Sequence, residues 1–340
     1  MKKSAFMDKF GKFFRTYSIV AVLAFVFIFF SITTDAFLTP ANILNIIRAV
    51  SMVGLICCGY SLVMISGGVD ISTGWIMCLS MVMMTRAMVV WHWPTWISVL
   101  LGILVSIACY WINCIIAIKV NISSFLVTLA TMYVFRGIVF LITGAKTTTG
   151  LPAGFNYVGQ GYIFGKIPVA VVILIVCTII THIVLNKTIF GRYVFAIGGN
   201  PEAANLSGIN VNKYKMLIYA WCGVFVGIAS WVMLSRLNTG YPAAAEGYEF
   251  KAILACCVGG VSFSGGIGKV LGVFCGAVVI GMLSNGMTLM GVSEYWQYVI
   301  NGALMLGAIV LDQYIQQSAI RRAKSAQAKT QELAAAKENG

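Results

Sequence analysis

Long apolar runs alternate with short polar breaks from residue 17 to residue 315, and a bilayer sets their length. An α-helix rises about 1.5 Å per residue, so crossing roughly 30 Å of hydrocarbon takes about 20 apolar residues. The pattern predicts about ten such helices, near 17–37, 43–65, 70–90, 94–118, 123–143, 168–186, 213–236, 251–263, 269–290 and 294–315. The fold class is therefore all-α, a polytopic membrane protein with Gly-broken segments. Its organisation reads as a basic N-terminal segment over 1–16, a transmembrane domain over 17–315 and a tail over 316–340.

The largest departure from this pattern is GRYVFAIGGNPEAANLSGINV, Gly191 to Val211, a polar island between two apolar runs. Asn200 can cap a helix N-terminus, Pro201 suits the first turn, and Glu202 stands where the helix dipole favours negative charge. Gly208 can end the helix in a left-handed conformation. The segment predicts a helix of about two turns over 200–208, outside the bilayer and presented to a partner.

Composition agrees: 60% of residues are apolar and 10% charged, against roughly 25% charged in soluble domains. The net charge of +13 raises the question of nucleic acid, but its distribution answers it. With ten spans and a cytoplasmic N-terminus, sixteen of the 23 basic residues fall on the inner side. They are Lys2, Lys3, Lys9, Lys12, Arg15, Lys119, Lys187, Arg192, Lys213, Lys215, Lys269, Arg321, Arg322, Lys324, Lys329 and Lys337. The positive-inside rule accounts for this bias with no nucleic-acid partner. It places both termini and the 200–208 helix in the cytoplasm. Lys2 and Lys3 before an apolar run suggest a signal peptide, but SITTDAFLTP supplies no small-x-small cleavage site, so the run reads as an uncleaved first span. The tail from Ser318, with its alternating charge, reads as a solvated, frayed helix.

Candidate chemistry is sparse. The ten cysteines sit mostly in apolar runs, where they behave as small hydrophobes, and His92 and His182 lie far apart, so no metal or cofactor is expected. VGGVSFSGGIGKV, Val258 to Val270, has Phe263 and Val270 where a phosphate loop needs Gly and Ser or Thr, so nucleotide hydrolysis is not expected of this chain. Gly67-Gly68-Val69 and Gly259-Gly260-Val261 form similar breaks in the two halves, a hint of the internal repeats that bracket transport pathways. Asp70, Ser72, Asn113 and Asn285 are polar groups at membrane depth and candidates for a pathway or gate, with Asp70 capping the third span as the structural alternative. Arg136 reads as snorkelling or structurally paired.

Several stretches carry a family resemblance: ISGGVDISTGW, SSFLVTLATMYVFRG, the 191–211 island, EGYEFKAILACCVGGVSFSGGIGKVLGVFCGAVVIGMLSNG and GVSEYWQYVINGALMLGAIVLD. From about Thr39 to Asp312 the chain resembles the permease subunits of bacterial ABC importers for monosaccharides, the ribose, xylose and galactose permeases; the island and GVSEYWQYVINGA look most like galactose and methyl-galactoside members, and GGVDIS also resembles ribose-type members. The resemblance implies an inner-membrane subunit that pairs with a second permease copy, a cytoplasmic ABC ATPase and a periplasmic sugar-binding protein, and that moves a monosaccharide through membrane lipid. It implies that Asn200–Gly208 is the coupling helix, with Glu202, Ala203, Ala204, Asn205, Leu206 and Ser207 as its contact surface. With Leu206 as its single large apolar residue, the segment would bind lipid poorly. Glu246, Glu249, Arg48 and Arg236 are candidate docking charges for the binding protein. The competing reading is an ion-coupled sugar transporter that titrates Asp70; a hydrolytic enzyme would need an HExxH or a paired-carboxylate constellation, and neither is present.

Overall fold

The structure is a computed structural model that describes residues 19–314 and residue 317. The basic segment 1–16 and the tail from 318 lie outside the described residues. The described chain is helical apart from a two-stranded antiparallel hairpin. Its helices are α1 (Ile19–Thr33), α2 (Pro40–Ile65), α3 (Thr73–Val89), α4 (Thr95–Val120), α5 (Ser124–Thr143), α6 (Tyr157–Gln160), α7 (Val169–Lys187), α8 (Ile189–Gly199), α9 (Pro201–Leu206), α10 (Val211–Leu237), α11 (Tyr248–Val258), α12 (Val270–Leu289) and α13 (294–314). The hairpin strands β1 (Tyr162–Ile163) and β2 (Ile167–Pro168) lie between α6 and α7.

Six of these helices are long and apolar enough to cross a bilayer: α2, α4, α5, α7, α10 and α12. The expected spans at 70–90 and 251–263 emerge shorter. The first is α3, 17 residues long, and the second is α11, 11 residues long. A glycine stop stands beside each, before α3 in one half and at the end of α11 in the other. Helix α2 ends with Gly67 at φ +82°, its amide on Met64 O and the Gly68 amide on Val63 O. Helix α11 ends with Gly260 at φ +81°, its amide on Cys257 O and the Val261 amide on Cys256 O. Both are Schellman stops, in which a left-handed glycine turns the chain out of the helix axis.

Helices α2 and α3 form the centre of the bundle, and almost every residue of α3 is buried, as expected of a helix that is apolar all round. Helices α5 and α7 lie outside and expose most of their surface. Close approach at the centre depends on small residues. A β-carbon on Gly59 would lie 2.8 Å from the Cα of Cys222, and one on Gly223 would lie 2.6 Å from the Cα of Ile107, which brings α10 against α2 and α4.

The loops sort to two ends. At one end, Ile65–Gly68, Gly198–Gly199 and Gly265–Gly266 touch one another. At the other, Thr148 bridges Gly240, the Gly159 amide donates to Ser235 Oγ, and Arg48 donates to Gln160 O. These are the groupings that alternate spanning requires.

Candidate functional site

Helix α9 is built by the punctuation its sequence carries. Asn200 Oδ1 accepts from the Ala203 amide at 2.9 Å, Pro201 occupies the first turn, and Glu202 lies beside the helix N-terminus. Ser207 Oγ donates to Ala203 O at 2.8 Å. Gly208, at φ +85°, closes a third Schellman stop, its amide on Asn205 O and the Ile209 amide on Ala204 O. Leu206 is 90% exposed, and Glu202, Ala203, Asn205 and Ser207 are exposed with it. Ala204 departs from the expected contact surface: it is 5% exposed, because its position on so short a helix turns the methyl onto the protein.

Directly before α9 the chain meets both glycine-rich breaks backbone to backbone. A β-carbon on Gly198 would collide with Ile65 O, and the Gly266 amide donates to that same oxygen at 2.8 Å. Gly265, at φ +88°, lies against Gly198 O and Gly67. The amides of the 258–270 loop are turned inward, Ser262 to Ile267 O and Phe263 to Asp312 Oδ2 at 3.0 Å. The loop is thus a packing device between elements and no phosphate cradle.

Beyond Gly68 lies the polar cluster of the first break. Asp70 is fully buried. Its Oδ1 accepts from the Ser72 amide at 2.8 Å and Ser72 Oγ at 2.7 Å, and its Oδ2 accepts from Asn113 Nδ2 at 3.2 Å. Asn113 Nδ2 also donates to Ser72 Oγ at 2.9 Å. The Asp70 main chain is held at both ends by Tyr60, whose hydroxyl donates to its carbonyl at 2.8 Å and accepts from its amide at 3.0 Å. Three of the four candidate pathway residues therefore form one network that ties the break to α2 and α4. Asn285 is elsewhere: it exchanges side-chain amide hydrogen bonds of 2.9 and 3.0 Å with Asn42, joining α12 to α2. A polar cavity of about 350 Å³ adjoins the break, lined by Gly67, Gly68, Asn121, Ser123, Lys215 and Tyr219.

At the opposite end the charges separate into buried and exposed. Glu249 is 2% exposed and is packed against Gly74, whose missing side chain makes its space. It is thus unavailable as a docking charge. Arg48 is committed to Gln160 O and the ring of Tyr162. Arg136 on α5 lies 3.8 Å from Glu246 and stacks over Trp75 at 5.0 Å, yet the pair is 44% and 49% exposed. Neither sequence periodicity nor motif pointed to Glu246 as its partner, 110 positions away, though the expected structural pairing of Arg136 is found.

The chain matches, over residues 42–309, the family described as permease components of branched-chain amino acid transport systems. It belongs to that family. Relatives of this permease include the ribose import permease of Bacillus subtilis, 38% identical over 90% of this chain and 93% of the relative. The L-arabinose transport system permease of Escherichia coli is 35% identical over 93% of this chain and 95% of its own. The xylose transport system permease of Haemophilus influenzae is 32% identical over 88% and 96%. No solved structure matches the permease. It is a transport component, in keeping with the expectation of a non-enzymatic membrane subunit.

Proposed function

We propose that this permease is the membrane-spanning subunit of an ATP-driven importer that carries a monosaccharide from the periplasm to the cytoplasm. The observation that carries the reading is α9, a capped two-turn helix with Leu206 projecting 90% exposed from the end where both glycine-rich breaks gather. Its face fits the groove of a separate cytoplasmic ATPase, with Ala203 allowing close approach, Leu206 filling a pocket and Glu202 meeting a basic or amide group. Relatives named for ribose, L-arabinose and xylose favour a pentose as substrate. Two copies of the chain enclose the pathway, a periplasmic binding protein delivers the sugar, and both termini face the cytoplasm by the positive-inside bias.

The energetics require such a partner. Reversing a 1:99 preference between outward- and inward-facing states takes about 5.5 kcal/mol of differential binding. ATP binding to the partner supplies it through α9. The deciding experiment is purification of the tagged permease from its native membranes, with ATP hydrolysis and sugar uptake measured before and after Leu206→Asp. An ATPase that accompanies the wild-type chain and is lost or uncoupled by the substitution supports the reading. A chain that purifies alone and moves sugar on an ion gradient overturns it.

A further inference from the structure

At the end opposite α9, a cavity of about 400 Å³ lies between the start of α11 and the first turns of α13. Its walls include Glu246, Phe250, Glu294, Gln297, Tyr298 and Asn301. We propose that this cavity is the outward-facing site at which the permease receives the monosaccharide, a substrate class that rests on the function proposed above.

Three observations carry the assignment. The first is volume: about 400 Å³ falls within the roughly 300–1,000 Å³ of small-molecule sites. The second is location. Glu246 and its partner Arg136 remain about half exposed although Arg136 lies within a spanning helix. Glu246, a wall of the cavity, thus carries its charge at this end of the bundle, paired with Arg136 and open to solvent. The third is an unmet hydrogen-bonding need. Asn301 Oδ1 is buried and has no hydrogen-bond partner. It is an acceptor that requires a donor.

A sugar matches these groups. It is a neutral polyol whose hydroxyls donate to Asn301 Oδ1 and to the carboxylates of Glu246 and Glu294. Its C–H face suits the rings of Phe250 and Tyr298, and the Tyr298 hydroxyl is held at 3.1 Å on Glu294 Oε1. Gln297 Nε2 donates to Thr288 Oγ1 and Val292 O, which fixes this turn of α13 to the end of α12. A half-open site with few direct contacts holds its ligand weakly, as a conducting site must if the ligand is to leave.

The test uses the whole complex with its ATPase and binding protein, supplied with labelled D-ribose, L-arabinose or D-xylose and, separately, L-leucine. Asn301→Ala and Glu294→Gln are each expected to slow sugar uptake at least tenfold and to change the ratio of uptake among the three sugars at least threefold. Uptake within twofold of wild type overturns the proposal, as does a uniform loss with unchanged ratios, which marks a structural role. Transport of L-leucine in place of the sugars assigns the cavity to a zwitterion and also overturns it. Asn301→Cys guards against misfolding in the other variants. It should react with a charged, membrane-impermeant thiol reagent added from the outer side, and failure to react removes the site from that side. If the unsubstituted complex moves no sugar with ATP, the function proposed above fails first and this inference falls with it.

Discussion

Gly198 and Gly199 are adjacent and chemically identical, yet the structure gives them opposite tolerances. A β-carbon at Gly198 meets Ile65 O and the Gly266 amide, whereas one at Gly199 meets nothing within 4 Å. Gly198→Ala is expected to cost about 1–3 kcal/mol by overpacking. Gly199→Ala should be neutral or stabilising by up to about 1 kcal/mol, the helix-propensity gain of alanine. Thermal unfolding midpoints of the two variants in detergent will check this, and equal midpoints would refute the crossing. The Asp70 carboxylate accepts hydrogen bonds from Ser72 and Asn113, so Asp70→Asn places an amide against those donors and should cost about 1–3 kcal/mol on the same assay. At this scale the sequence made the helix punctuation of Asn200, Pro201 and Gly208 legible, because a cap acts within a few residues of itself. The 243-residue separation of Asn42 from Asn285 left their pairing invisible, since local pattern carries no trace of which distant side chain will face which.

Between helices, the Asn42–Asn285 pair behaves as a tie from α2 to α12, with both amide groups satisfied reciprocally. Asn285→Ala leaves the 6% exposed Asn42 short of a partner and is expected to lower stability by about 1–3 kcal/mol. The ratio of sugar moved to ATP consumed should stay as in wild type; a changed ratio would return Asn285 to the pathway. Helix α9 gives the opposite signature. The double substitution Glu202→Lys with Leu206→Asp alters two exposed side chains, so it should leave thermal stability within about 0.5 kcal/mol while abolishing ATP-dependent uptake. Retained uptake in that variant would detach α9 from energy coupling. The element pattern was readable wherever hydrophobic length alone decided, as in α4, α5, α7 and α10. It overran α11, because a Schellman stop ends that helix within a run that stays apolar on both sides, and it overran α3 at its start, because the break after Gly67 keeps Val69–Ser72 out of the helix.

Across the whole molecule, the loops that alternate along the chain collect at opposite ends, and the two candidate regions lie one at each. The cavity beside α11 and α13 is separated from α9 by the buried bundle of α2, α3 and α10. Under the proposed function a transport cycle connects them, with a second copy of the chain completing the route. Native mass spectrometry of the purified complex is expected to count two copies of this chain; a single copy would overturn the proposed pairing. The bare backbone crossing of Ile65, Gly198 and Gly266 then acquires a mechanical meaning. Side chains between moving parts act as springs, changing rotamer and absorbing small displacements before anything further along responds. Here the chain entering α9 rests directly on the backbone of both glycine-rich breaks, so under the function proposed above a shift of α9 would reach them with no side chain in between.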